Sequence, residues 1–176
     1  MEKVYFSEEQ RHNQWWLWVI PGAATLAVLI PFLYGIYVSE VLQEPFGENP
    51  MTTEGLIATG IASVLMMLII LFVLGKTKLI TKINSRGIWV CYPPLYPRGK
   101  WISPEEVVKY EILTFKAIRE FGGYGMKRKR KYGQAFIVAG NTALQLHLTN
   151  GKRLLIGTQK KQAIAHAMEK LMKPEK

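Results

Sequence analysis

The chain has 176 residues, with 23 Lys and Arg against 13 acidic residues that are all glutamate, and a single cysteine. The absence of aspartate excludes Ser-His-Asp triads, EF-hand loops and aspartate-held magnesium sites, and one cysteine excludes an intrachain disulfide. The net charge of +10 hides two different halves: residues 1–75 hold two basic residues against seven Glu, and residues 76–176 hold 21 against six.

Residues 1–14 are mixed in charge ("EKVYFSEEQRHNQ") and read as a short cytoplasmic N-terminal segment. Residues 15–39 (WWLWVIPGAATLAVLIPFLYGIYVS) then run without an ionisable side chain other than tyrosine. About 20 apolar residues at 1.5 Å rise cross a bilayer core, and this run reaches that length. No polar face recurs at the helical period, which separates it from a soluble helix. It is longer than the apolar part of a signal peptide and no A-x-A site follows, so it reads as a retained first transmembrane helix. Trp15, Trp16 and Trp18 at one end and Tyr34 and Tyr37 at the other suit the two interfaces.

Residues 40–54 form a loop holding Glu40, Glu44, Glu48 and Glu54 with no Lys or Arg. Residues 55–75 (GLIATGIASVLMMLIILFVLG) are the second span. Lys3 and Arg11 precede the first span, and Lys76, Lys78, Lys82 and Arg86 follow the second. The positive-inside bias therefore places both termini in the cytoplasm, the acidic loop outside, and the chain in the cell membrane. Small residues recur every four positions at Gly55, Thr59 and Ser63, at Ala58 and Ala62, and at Ala23 and Ala27. That spacing lets helices approach closely, either within one hairpin or between copies in a homo-oligomer. No charge lies inside either span, which argues against a transporter or proton relay.

From residue 76 the period changes to two. "TKLITKIN" (77–84) places Leu79, Thr81 and Ile83 on one face, and "IWVCY" (88–92) opposes Ile88, Val90 and Tyr92 to Trp89 and Cys91. Cys91 reads as a small strand residue. "PPLYPRG" (93–99) breaks the pattern, and its Pro94-x-x-Pro97 reads as a loop between strands rather than a ligand motif. Strands follow at 107–115, 134–140, 143–149 and 152–157. An Asn150-Gly151 two-residue turn would put the leucines of the last two strands on opposite faces. A three-residue loop, Thr149-Asn150-Gly151, pairs Leu146 with Leu154 and Leu144 with Ile156 and is the expected register. A terminal helix capped by Thr158 carries the apolar stripe Ile164, Ala167, Met168 and Leu171, with Lys170 and Lys173 at its end and Pro174 stopping it.

"TKLITKINSRGIWVCYPP…W", "YGQAFIVAGNTALQLHLTNGKRLLIGTQ" and the final helix together resemble the bacterial pleckstrin-homology-like domain. Nearly the whole chain is similar to small bacterial membrane proteins that join two spans to one such domain. The resemblance implies a seven-stranded sandwich capped by the C-terminal helix, and no established activity. The expected fold is thus an α+β membrane protein: two transmembrane helices followed by a PH-like antiparallel β-sandwich or barrel over residues 76–176.

No catalytic constellation is present. His12, His147 and His166 lack metal-ligand spacing, and Glu105-Glu106 are adjacent and do not converge. "GGYG" (122–125) lacks the G-K-[ST] ending of a phosphate loop. No cofactor or metal is expected. The salient feature is "GYGMKRKRKYG" (123–133), in which Lys127, Arg128, Lys129, Arg130 and Lys131 form an uninterrupted basic run, read as a loop between strands. Solvated charge, contact with anionic lipid headgroups aided by Lys76, Lys78 and Lys82, and an acidic protein partner are the readings open to it. Nucleic acid is not expected for a membrane-tethered domain. The sequence thus describes a non-enzymatic membrane protein presenting a basic domain to lipid or protein. An accessory subunit of a larger membrane complex, or a membrane-bound enzyme of unrecognised type, are the alternatives.

Overall fold

The computed structural model describes residues 3–12, 15–47 and 51–173. Glu48 of the acidic loop and the helix-stopping Pro174 lie outside the described residues. The chain divides into two units: Gln14–Gly75, and Met1–Asn13 joined to Lys76–Lys176.

The first unit is a pair of helices, α1 (Trp16–Tyr37) and α2 (Thr53–Lys76), with a π-helical turn, Val38–Leu42, extending α1. Both are long and apolar enough to cross a membrane. Pro21 and Pro31 lie inside α1. The hydroxyls of Thr25, Thr59 and Ser63 donate to carbonyls four residues back at 2.8 Å, so each is satisfied within its own helix. The helices meet at Gly60 and Phe32, where a side chain added to Gly60 would stand 3.6 Å from the Phe32 ring. Ala23, Ala27, Ala58, Thr59 and Ala62 stay exposed, whereas Gly55 and Ser63 are half-buried.

The second unit is α+β. One sheet has the order β1-β2-β3-β4: β1 (Val4–Arg11), β2 (Lys78–Asn84), β3 (Gly87–Tyr92) and β4 (Tyr96–Ile102). The other has the order β5-β8-β9-β7-β6: β5 (Val107–Thr114), β6 (Gly125–Lys129), β7 (Gly133–Ile137), β8 (Thr142–Leu148) and β9 (Arg153–Thr158). Leu79, Ile83, Ile88, Val90 and Ile102 from the first sheet share one core with Phe136, Leu144, Leu146, Leu154 and Ile156 from the second. The helix α4 (Lys161–Met172) adds Ile164, Ala167, Met168 and Leu171 to it, all four buried as the stripe requires. The second sheet is covered on its other face too. There a short helix, α3 (Ala117–Phe121), packs Phe121 with Phe115, Tyr132, Ala135, Ile137 and Leu155.

The expected registers hold where alternation is clean. Leu79, Thr81 and Ile83 are buried together. Leu144 pairs with Ile156 and Leu146 with Leu154, closed by a three-residue loop with Gly151 at φ 73°. Cys91 is buried in β3, where burial pushes its thiol pKa up.

Four expectations are corrected. Residues 4–11 of the N-terminal segment, expected to lie outside the domain, form a strand of it: β1 pairs antiparallel with β2 in the register Arg11↔Lys78, so the β-domain does not begin at residue 76. Sequence pattern hid it because its inward face carries Phe6, Glu8 and Gln10, two of them polar. The stretch 96–99 of "PPLYPRG" belongs to β4, and Pro97 is tolerated because β4 is an edge strand with no ladder partner beyond it. The described residues hold nine strands rather than seven, and β7 runs parallel to β9, so the sandwich is not wholly antiparallel. Thr158 ends β9 instead of capping α4, whose first residue is Lys161.

A candidate anion-binding groove

The basic run is only partly a loop. Lys127, Arg128 and Lys129 lie on the edge strand β6, and Arg130, Lys131 and Tyr132 turn the chain into β7, with Lys129 paired to Gly133. Charged side chains on an edge strand suppress edge-to-edge pairing, one reason for such a strand to be this basic.

The turn is held from three directions. Arg153 Nη1 donates to the Lys131 carbonyl at 2.7 Å. The Gln145 amide donates to the Tyr132 carbonyl at 3.2 Å from inside the sheet. The Tyr132 hydroxyl donates to Glu120, whose other carboxylate oxygen accepts from the Lys116 backbone N–H at 2.7 Å. That hydroxyl, with the Lys116 N–H, holds the Glu120 carboxyl below the usual carboxylate range. Lys131 sits over the Tyr132 ring at 4.9 Å, and its own pKa is raised through Tyr132 and Glu120.

Beside this turn lies a groove of about 880 Å³. Arg128, Lys129, Arg130 and Lys131 line it from the β6–β7 hairpin, Lys152 and Arg153 from the β8–β9 hairpin, and Lys100 from β4. Leu148, Leu154, Gln134, Gly133 and Gly151 complete the lining, which contains no carboxylate. Among the described residues, none of these seven cations is in a salt bridge. The parallel pairing of β7 with β9, Gln134 opposite Leu154, brings the two hairpins together. Gly133 makes it possible: at φ 75°, a Cβ there would stand 2.0 Å from the Arg153 carbonyl oxygen. Like charges gathered in one concavity repel one another, and an anion relieves that repulsion.

The candidate residues read from sequence are therefore split. Arg128, Lys129, Arg130 and Lys131 line the groove, whereas Lys127 does not. Lys76 ends α2, and Lys78 and Lys82 lie on β2, in the other sheet. Lys78 is ion-paired with Glu9 at 3.3 Å, and Glu9 also binds Arg11 at 2.8 Å, which with Lys78 holds its carboxyl below the ordinary value. Lys82 stacks over the Trp89 ring at 5.8 Å. Sequence reasoning missed Lys100, Lys152 and Arg153. Lys152-Arg153 after the Asn150-Gly151 turn was visible as a second basic cluster, but nothing local connects it to the first. Among the described residues no group of His, Cys or Glu has metal-binding geometry. No protein-family model, curated protein or solved structure matches the chain.

Proposed function

We propose that this chain is a two-span membrane protein that holds a PH-like β-sandwich at the cytoplasmic face of the cell membrane, where the cationic groove binds anionic lipid headgroups without catalysis. The observation that carries this reading is the convergence of seven cations from three segments on a lining free of carboxylates. Each basic side chain near an anionic leaflet gains about 1 kcal/mol before screening. The pairing of Arg11 with Lys78 supports the topology. The chain leaves and rejoins the sandwich at one cross-strand pair, so an even number of crossings fits between them. Two apolar helices supply that number, and the loop between them, free of Lys and Arg, favours the outer side.

The full chain in nanodiscs of phosphatidylcholine, with and without phosphatidylglycerol, tests this by hydrogen–deuterium exchange. Exchange over the β6–β7 and β8–β9 hairpins is expected to slow in the anionic discs. The slowing is expected to vanish in high salt and in a K129Q/R130Q/K131Q variant. Equal exchange in both discs removes the lipid reading.

The exposed small residues Ala23 and Ala27 of α1 and Ala58, Thr59 and Ala62 of α2 favour a second reading, an accessory subunit or homo-oligomer whose helices pack against further spans. Crosslinking in native membranes that traps one stoichiometric partner supports it, and recovery of the uncrosslinked chain alone opposes it.

A further inference from the structure

Resting on the headgroup reading, we infer that the groove is built for a molecule carrying two or more phosphate groups, not for a single charge. Three features of the site point there. First, the cations line the groove from separate elements: Lys100 from β4 of one sheet, Lys152 and Arg153 from one hairpin of the other sheet, and Arg128, Lys129, Arg130 and Lys131 from a second hairpin. Seven cations exceed what one phosphate neutralises, since it carries at most about two charges. Second, the volume of about 880 Å³ lies within the range of drug-sized ligand sites, about 300–1,000 Å³, and far exceeds what one phosphate fills. Third, Arg128, Arg130 and Arg153 present planar guanidinium donors suited to bidentate phosphate recognition.

The β6–β7 and β8–β9 hairpins are also tied to each other. Arg153 spends one nitrogen on the Lys131 carbonyl and keeps its remaining donors. Gly133 fixes the two hairpins at a close backbone approach. Holding the two hairpins together lowers the ordering cost of binding, which a diffuse lipid-surface contact does not require. Two sources offer this chemistry: a lipid headgroup with two phosphates, such as cardiolipin, and a soluble polyphosphate or nucleotide.

The test uses the full chain in phosphatidylcholine nanodiscs, titrated calorimetrically with inorganic triphosphate and with inorganic phosphate. Triphosphate is expected to bind saturably, one per chain, at least roughly tenfold more tightly than phosphate. Charge-assisted hydrogen bonds are the strongest of their kind, so K100Q/K152Q is expected to weaken triphosphate roughly tenfold or more. Neither lysine side chain makes a hydrogen bond or ion pair in the structure, and an unchanged melting temperature shows that the variant folds. Cardiolipin discs separate the sources. Loss of triphosphate binding there, but not in phosphatidylglycerol discs of equal charge, identifies the lipid, and retained binding identifies a soluble ligand. Triphosphate no tighter than phosphate, or full affinity in K100Q/K152Q, overturns the inference. If hairpin exchange still slows on phosphatidylglycerol discs in that case, the headgroup reading survives it.

Discussion

Glu8 accepts a hydrogen bond from the Thr158 hydroxyl at 2.6 Å, across 150 residues of chain. Its other oxygen accepts from the Gln159 backbone N–H at 3.0 Å, and Gln10 donates to the Gly157 carbonyl at 2.8 Å. A strand that precedes both apolar helices is thus stapled to the last strand of the second sheet. The staple lies inside the protein, since Glu8 and Gln10 are 5% and 3% exposed. A buried carboxylate is tolerated here because two donors meet it.

Replacing Glu8 by Gln keeps an acceptor oxygen for one of the two donors and sets an NH2 donor against the other. A loss of about 1–3 kcal/mol is expected, the usual cost of breaking a buried charge-assisted hydrogen bond. Thermal melting of the detergent-solubilised chain measures it. Ser7→Ala, on the solvent side of the same strand, is the control and is expected to be near neutral.

The strand β1 also decides which pieces of the chain fold. A fragment beginning at residue 76 lacks β1, leaves the β2 edge unpaired and removes Phe6 from the core. Loss of one buried phenylalanine side chain alone costs about 3–5 kcal/mol, against a typical total stability of about 5–15. Such a fragment is expected to aggregate. A chain in which residues 12–77 are replaced by an Asn-Gly turn restores the Arg11↔Lys78 hairpin and is expected to be soluble and folded. Circular dichroism and proton NMR dispersion of the two products decide between these outcomes. A well-folded fragment from residue 76 contradicts the importance assigned to β1.

Gly133 and Gly151 separate steric approach from backbone conformation. Both sit at positive φ, 75° and 73°. An alanine at 151 meets nothing within 4 Å and pays only the left-handed backbone cost, about 1–2 kcal/mol. An alanine at 133 meets the Arg153 carbonyl oxygen at 2.0 Å as well, and must push β7 from β9. Gly133→Ala is therefore expected to destabilise by clearly more than Gly151→Ala in denaturant titrations, and to speed amide exchange over Gln134–Phe136. Equal losses would place the effect in backbone conformation alone.

Tyr92 links the fold to pH. It is buried under Phe136, and burial pushes its hydroxyl up to about 12 from an ordinary 10. The folded state resists deprotonation that the unfolded chain undergoes. The contribution is therefore fully present below about pH 10 and is lost as pH rises towards 12. Two units correspond to about 2–3 kcal/mol. Other tyrosines and the lysines titrate in the same window, so the readout is a difference. Unfolding free energy between about pH 9 and pH 11.5 is expected to fall more for the natural chain than for Tyr92→Phe. Parallel pH curves would show that Tyr92 titrates as an ordinary phenol.

Local chemistry determined a large part of this protein. Uninterrupted apolar length identified α1 and α2. Strand patterning identified β2, β3, β5, β7, β8 and β9, and a 3.6-residue stripe identified α4. The choice between two loops at Asn150-Gly151 followed from which register keeps Leu144, Leu146, Leu154 and Ile156 together. These features are legible because each is a property of neighbours in sequence. What only the tertiary structure decided involves partners far apart or patterns that run against local preference. β1 turns Glu8 and Gln10 inward because Thr158, Gln159 and Gly157 wait for them. β4 carries Pro97 because its outer edge is unpaired, and β6 is too charged to read as a strand until β7 pairs with it. The groove is the sharpest case. Its basic run was evident, but Lys100, Lys152 and Arg153 join it only through the parallel pairing of β7 with β9 and the facing of two sheets, and no spacing along a chain records which distant strands will close on one another.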